Sequence, residues 1–336
     1  MTFCPEWNLL FYTFTDNELE TGSFADLAKL TALDIAVPLD SSGTAGSRFF
    51  KAGFSAFISI LLDTSTLGSY HITINGDPYQ EGNMIMTRVP NQNMSKVETL
   101  ETFVRSSLKG RESKRIALIL GGHGAGWFLQ TERDSILPVP QFAETIERCG
   151  LVLDLLCFDN CMMSNLETMY AIRRIAKTVI AYEDYAGLNG FIQPLTVAYF
   201  NECHFNTERI AISIAKNLMA TLTEKDIPTD VSVIDIKHIE KLFEFLNMHK
   251  LKRPDHKNYC IDQSYWHLQD LYSVCEASFD SEDFIQFKEL FNAVVLYYHQ
   301  SINKSNPYHH GLSCMIDMER DTYDINKAWK LMPLLQ

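Results

Sequence analysis

The chain is short of the features that mark several large function classes. No apolar run approaches the ~20 residues a helix needs to span a bilayer. The opening Met1-Thr2-Phe3-Cys4-Pro5-Glu6-Trp7 has no basic region followed by an apolar core, so no secretory signal is expected and the chain is expected in the cytoplasm, or exported without one. The eight cysteines (Cys4, Cys149, Cys157, Cys161, Cys203, Cys260, Cys275, Cys314) never fall into C-x-x-C spacing, which disfavours a zinc ribbon or a redox motif and points to free thiols, most of them small buried apolar residues. Basic residues are scarce, 29 against 42 acidic, for a formal net charge of -13. That field argues against nucleic acid and anionic membrane as partners and favours basic partners or substrates. Repeats, low-complexity stretches and clean linkers are also missing. One elaborated domain spanning 1–336 is therefore expected, with a core over about 7–200 and an extension of the same domain over 201–336, and a monomer is expected.

What is present is an apolar content of 46%, enough for a substantial core, and two unusual short runs. Gly121-Gly122-His123-Gly124-Ala125-Gly126-Trp127 follows the apolar Arg115–Leu120, and Asp159-Asn160-Cys161-Met162-Met163-Ser164 follows the apolar Leu151–Phe158. Nearly continuous apolar runs of this length are expected of parallel strands covered on both faces. Between them, Pro140–Gly150 reads as one helix, with Pro near its start and Gly as its stop. The interval from His123 to Cys161 thus fits a strand-helix-strand crossover. Open parallel sheets bind ligands beyond the carboxyl ends of their strands, so the His and the Cys would share one crevice. The glycine run fits neither G-x-G-x-x-G nor the P-loop with its Lys. Glycines beside a histidine have another use, because bare backbone leaves room for substrate and exposes an N–H to a developing oxyanion.

Beyond Cys161, apolar Met162, Leu166, Met169, Ile172 and Ile175 recur at helical intervals. This places the cysteine just before or within the first turn of a helix, whose amides would lower the thiol pKa. Asp159 then has three readings: a cap for that helix, an orienting partner for the His, or the floor of a pocket for a cationic side chain. Elsewhere, Trp7–Thr15, Ala32–Asp40, Thr178–Tyr182, Val231–Asp235 and Gly311–Ile316 read as strands. Asp16–Glu20 starts a helix, Ser41–Ser47 is a loop at the sheet end, and Phe49–Asp77 holds two β-like segments in an irregular hairpin closed at Asn75–Pro78. Helical spacing marks Lys96–Leu108, Ile210–Leu222, Ile239–His249, Tyr265–Ser278 and Phe284–Tyr298. The acidic pair Glu183-Asp184 would overlook the crevice, against the plainer reading of solvated loop carboxylates. His309-His310 has no acidic or Cys partner nearby in sequence.

The two runs together, Gly121 to Trp127 and Phe158-Asp159-Asn160-Cys161-Met162-Met163-Ser164-Asn165-Leu166-Glu167, closely resemble the paired His and Cys motifs of the clostripain-like cysteine peptidases, relatives of gingipains, legumains and caspases. Trp7 to Glu20, the Ala181-to-Gly190 loop, Val233 to Asp235 and Gly311-Leu312-Ser313 also look like family landmarks, so most of the chain is covered. The resemblance implies an α/β caspase-like fold with a mostly parallel central sheet flanked by helices and C-terminal helical and strand elaborations. It implies a Cys161–His123 dyad, an oxyanion held by the backbone N–H groups of Gly124 and Cys161, and cleavage after Arg or Lys with Asp159, Glu183 and Asp184 as substrate-binding carboxylates. Peptide or protein substrates follow, with no metal or other cofactor expected; calcium dependence rests on the resemblance alone. Four positions depart from the usual motif: Asn160 and Met162 stand where a small residue and Leu are common, Tyr182 where Ser is common, and Phe191 where Trp is common. Arg133 is the candidate for self-cleavage between the His and Cys strands. Rival readings are a catalytically idle peptide-binding protein of the same fold and a thiol hydrolase of another acyl or isopeptide bond.

Overall fold

The structure, a computed structural model, describes residues 6–15, 19, 56–75, 84–132, 135–187, 191, 206–225, 227–249, 251, 268–301 and 309–315. The expected strand Ala32–Asp40, the loop Ser41–Ser47, the helix start at Asp16–Glu20 (Leu19 apart) and Arg133 lie outside them. In chain order the described elements are β1 (Trp7–Thr15), β2 (Ala56–Thr64), β3 (Gly68–Asn75), β4 (Met84–Val89), α1 (Val97–Leu108), β5 (Arg115–Gly121), β6 (His123–Gly124), β7 (Phe128–Glu132), β8 (Ser135–Pro138), α2 (Val139–Arg148), β9 (Leu153–Asp159), α3 (Leu166–Ala171), β10 (Ala176–Ala181), α4 (Thr207–Glu224), β11 (Asp230–Asp235), α5 (Ile239–Met248), β12 (Leu268–Asp270), α6 (Leu271–Ser278), α7 (Ser281–Val294), β13 (Val295–Gln300) and β14 (Ser313–Met315).

A nine-stranded sheet runs in the order β13-β11-β10-β9-β5-β1-β2-β3-β4. Its five inner strands, β10, β9, β5, β1 and β2, are mutually parallel, and the flanking pairs on both sides are antiparallel. The inner strands read as apolar runs because both faces are covered, and alternate residues feed two separate cores. From β5, Leu118 and Leu120 join the core that includes residues of α1, α2, α3, α5, α6 and α7, while Ala117 and Ile119 join the core built on α4. In β1, Tyr12 and Phe14 face the first core, and Trp7, Leu9 and Phe11 the second.

Helix α2 carries Pro in its first turn and ends before Gly150 at φ +72, as the crossover requires. Several expectations change. Phe49–Asp77 contains a regular hairpin, β2 and β3 joined at Ser65–Leu67, and β2 is an integral parallel partner of β1. The helix expected over Phe284–Tyr298 ends at Val294. The β-branched and aromatic Val295-Leu296-Tyr297-Tyr298 extends instead as an edge strand against β11. The helix expected from Tyr265 begins only at Leu271, after a short strand β12 that pairs with β14. A second small sheet, β6-β7-β8, sits inside the crossover between the two motif runs.

Where β5 gives way to its turn, Gly122 has φ +139, and a Cβ there would fall 2.3 Å from the Phe14 ring and 2.6 Å from the Phe14 carbonyl oxygen. The backbone oxygen leaves no room to yield. Gly122→Ala is therefore expected to cost ~3 kcal/mol or more of unfolding free energy, whereas Gly150→Ala, at φ +72 with nothing within 4 Å, should cost only ~1–2 kcal/mol from backbone strain. Denaturant unfolding of the two variants checks this, and equal losses would contradict the packing argument.

Candidate active site

Strands β5 and β9 pair in parallel with Gly121 opposite Asp159, and the N–H of Gly122 donates to the Asp159 carbonyl at 3.4 Å. His123 and Cys161 each lie two residues beyond this last rung. Neighbouring strands are ~4.8 Å apart, so the two turns leave the sheet side by side at its carboxyl edge. They touch: a Cβ on Gly124 would lie 2.8 Å from Asn160 Cβ and 3.1 Å from the Cys161 carbonyl oxygen. Only glycine allows the histidine turn to lie this close to the cysteine turn.

The cysteine is not at a helix start. Asn165, whose side chain accepts from the Thr168 N–H, caps α3, and that helix has only six residues. Between Cys161 and Asn165 the chain makes a tight turn in which Met162 takes φ 59, a left-handed conformation costly for a side chain with a Cβ. Two backbone bonds to the exit of β10 hold it: Met162 N–H to the Asp184 carbonyl and Ser164 N–H to the Tyr182 carbonyl, both 2.8 Å. Met162 and Met163 are buried as a helical face would be, and so the spacing resembled a helix without forming one. Asp159 therefore does not cap α3.

The electrostatics change accordingly. Burial raises the Cys161 thiol pKa above the ordinary thiol value, and the carboxylates of Asp159 and Asp184 push it further up, while the Ala186 N–H, donating to Sγ at 3.4 Å, acts in the opposite sense. The amides of Ala186 and of Cys161 itself act in the sense expected of a helix terminus but do not outweigh burial. Asp159 ends β9 and is half-buried, next to the cysteine turn; Asp184 is buried behind that turn.

Glu183 does not overlook the crevice. It is fully buried and accepts the Gly311 N–H at 2.7 Å. Around it, Asp230 accepts the N–H groups of Glu183 and Asp184 (3.1 and 3.3 Å) and pairs with His309 Nδ1 at 3.4 Å, while Asp270 takes the N–H and Nδ1 of His310 at 2.8 and 2.9 Å. The histidine pair that lacked acidic partners in sequence thus finds two in space, brought by β11 and β12. Ligand atoms of Glu183, Asp230 and His309 lie within 4.8 Å of one another and form a group able to hold a metal ion. Burial, then repulsion from Asp270 and Asp230, drives the Glu183 acid well above the carboxylate range. A proton retained there relieves the repulsion that a cation would relieve, and the network's other contacts already go to backbone and imidazole. It fits a staple joining the loop after β10, the start of β11 and residues 309–313.

Tyr182 is also off the rim. Its side chain is fully buried, 6.1 Å from the Phe191 ring between centroids. Sequence reasoning missed the bonds between the two motif turns. Asn160 Nδ2 donates to the carbonyls of Gly122 and His123, while Asn165 Nδ2 and Thr168 Oγ1 both donate to that of Gly126. A polar residue directly before the cysteine, where the motif usually has a small one, was the available signal.

Among solved structures the chain is similar to a secreted C11 cysteine protease from Bacteroides thetaiotaomicron in complex with an irreversible peptide inhibitor, at TM-score 0.73 and 15% identity over 98% of both chains. It is similar also to an inactive zymogen C11 protease from Parabacteroides distasonis, at TM-score 0.73 and 18% identity over 98% of this chain and 97% of that one. These likenesses establish the caspase-like arrangement of sheet and helices. A comparison with curated proteins finds no match. No helix among the described residues is long and apolar enough to cross a membrane. The sequence model of the clostripain family, Peptidase_C11, matches residues 58–320, which include both motif turns and most of the sheet, and the chain accordingly belongs to the clostripain family and is a cysteine peptidase.

Proposed function

We propose that Cys161 is the nucleophile and His123 its acid–base partner in an endopeptidase that cleaves after Arg or Lys. The observation that supports this reading is the register of β5 on β9, from which both residues follow two positions beyond one shared rung at the same edge of the sheet. In the proposed reaction the Cys161 thiolate attacks the scissile carbonyl carbon and the oxyanion is held by the N–H groups of Gly124 and Cys161. His123 then gives a proton to the departing amine, leaving a thioester. Water attacks that thioester, His123 takes its proton, and the Cys161 sulfur leaves as the carbonyl re-forms.

The basic preference is supported by charge. Asp159 and Asp184 both act on the sulfur, so both carboxylates lie within electrostatic reach of the place where a substrate residue's side chain would enter. Together they disfavour the thiolate. A guanidinium or ammonium docked against them offsets that field, so the same cation that is recognised also helps to ionise the nucleophile. Glu183 is left out of this pocket because its carboxyl is fully buried, with Oε2 accepting the Gly311 N–H. The chain's excess of acidic residues draws basic peptides in the same sense.

Three outcomes are expected. Cys161→Ala abolishes cleavage of fluorogenic peptides with Arg or Lys before the scissile bond, and failure of any electrophilic peptide to label Cys161 would sink the assignment. Asp159→Lys abolishes the basic preference; unchanged selectivity across a residue panel would remove Asp159 from the pocket. The third concerns ionisation. Because the thiol is raised, the thiolate fraction still climbs with pH beyond the ordinary thiol value, and alkylation by iodoacetamide without substrate should climb with it. Asp159→Asn removes one source of the shift and should move that rise to lower pH; a rise at unchanged or higher pH would contradict the electrostatic account.

A further inference from the structure

One side chain ties the two turns together. Asn160 is fully buried between them, and its Nδ2 donates to the carbonyl oxygens of Gly122 at 2.8 Å and His123 at 3.3 Å. Both partners are acceptors, so the amide must present its NH₂ end to them. The other end is left out: Asn160 Oδ1 is buried and takes no donor in the structure. An interior amide with an unpaired oxygen is unfavourable as mere packing, and an apolar or small residue would fill the space without that loss. The nitrogen is therefore what the position uses. At the far end of the histidine turn, Asn165 Nδ2 bonds the Gly126 carbonyl and also that of Met162. Segment 122–126 is thus held at its start by the residue before Cys161 and at its end by the residue that caps α3.

We propose that Asn160 is a positioning residue that, through the carbonyls of Gly122 and His123, sets the imidazole of His123 for proton delivery to the leaving amine. This rests on the assignment of His123 as proton donor given above. The chemistry predicts where this clamp matters. An amine leaves only when protonated, whereas the oxide of an activated ester leaves without help. Misplacing His123 should therefore slow acylation by an amide and spare acylation by an activated ester, which is read from the initial p-nitrophenolate burst because His123 also serves the shared deacylation step.

The test compares a peptide anilide and a p-nitrophenyl ester carrying the same basic residue, using the full chain and the variants Asn160→Ala and Asn160→Asp. Alanine keeps the Cβ, and aspartate keeps the shape without the donor. Any effect of the new charge on the thiol enters both substrates and cancels in their ratio. The expected result is a loss of about 10- to 100-fold in kcat on the anilide, with KM within about twofold and a much smaller change in the burst rate on the ester, in at least one variant that folds by thermal melting and still alkylates at Cys161. Equal losses on both substrates would reduce Asn160 to a structural part and overturn the proposal, as would an unchanged ratio in both variants. If His123→Ala and Cys161→Ala are inactive on the anilide while the Asn160 ratio stays flat, the clamp alone fails. If Cys161→Ala still cleaves, the dyad assignment fails instead.

Discussion

The parallel pairing of β5 with β9 is the constraint on which the rest of the catalytic edge depends. It sets Gly121 against Asp159, and every later contact between the two motif turns presupposes that rung. The pairing is hard to disturb because both strands are sandwiched. Leu118, Leu120, Leu156 and Phe158 fill one core, and Ala117, Ile119, Leu155 and Cys157 the other. A slip by one residue would exchange the two sets and misfit both cores. The packing of the interior thereby fixes the relative placement of the two turns.

On that base the site is assembled from strained or crowded backbone held by hydrogen bonds. Met162 sits at φ 59, a conformation that a residue with a Cβ seldom keeps, and Gly122 at φ +139 lies where a Cβ would strike Phe14. The first is locked by the carbonyls of Asp184 and Tyr182, the second by contact with Phe14 and by Asn160. The loop after β10 is anchored in turn by Asp230 and, through Glu183, by Gly311. Residues far apart in sequence thus converge behind the cysteine turn. This explains why Glu183, Asp230 and Asp270 are buried there without facing substrate.

The strands were legible because their rule is local. An apolar run of strand length bounded by Gly or by polar turns reads as a covered strand, and β1, β5, β9, β10 and β11 follow that rule. Both motif turns were legible for the same reason. What was not legible depended on partners remote in sequence. Nothing near His310 announced Asp270, and nothing near Glu183 announced Gly311. The helix expected at Cys161 failed because Met162 falls in helical spacing with Leu166 and Met169 while its own backbone turns left-handed. The true start at Leu166 depends on the Asn165 cap. At the far edge, Val295–Gln300 became a strand because β11 offered an unpaired ladder, a choice that local spacing does not register.

The hairpin β7–β8 has a consequence for the integrity of the chain. It lies between the strand that leads to His123 and the strand that leads to Cys161, outside the nine-stranded sheet. A nick at its tip would divide the polypeptide into two pieces, one contributing β1 to β5 and the other β9 to β13. Those pieces lie side by side in the sheet, β1 to β5 forming one half and β9 to β13 the other; the β5–β9 ladder crosses the divide, and both cores draw side chains from the two pieces. Like complementary fragments of a split protein, they would remain one folded body after the covalent link was gone.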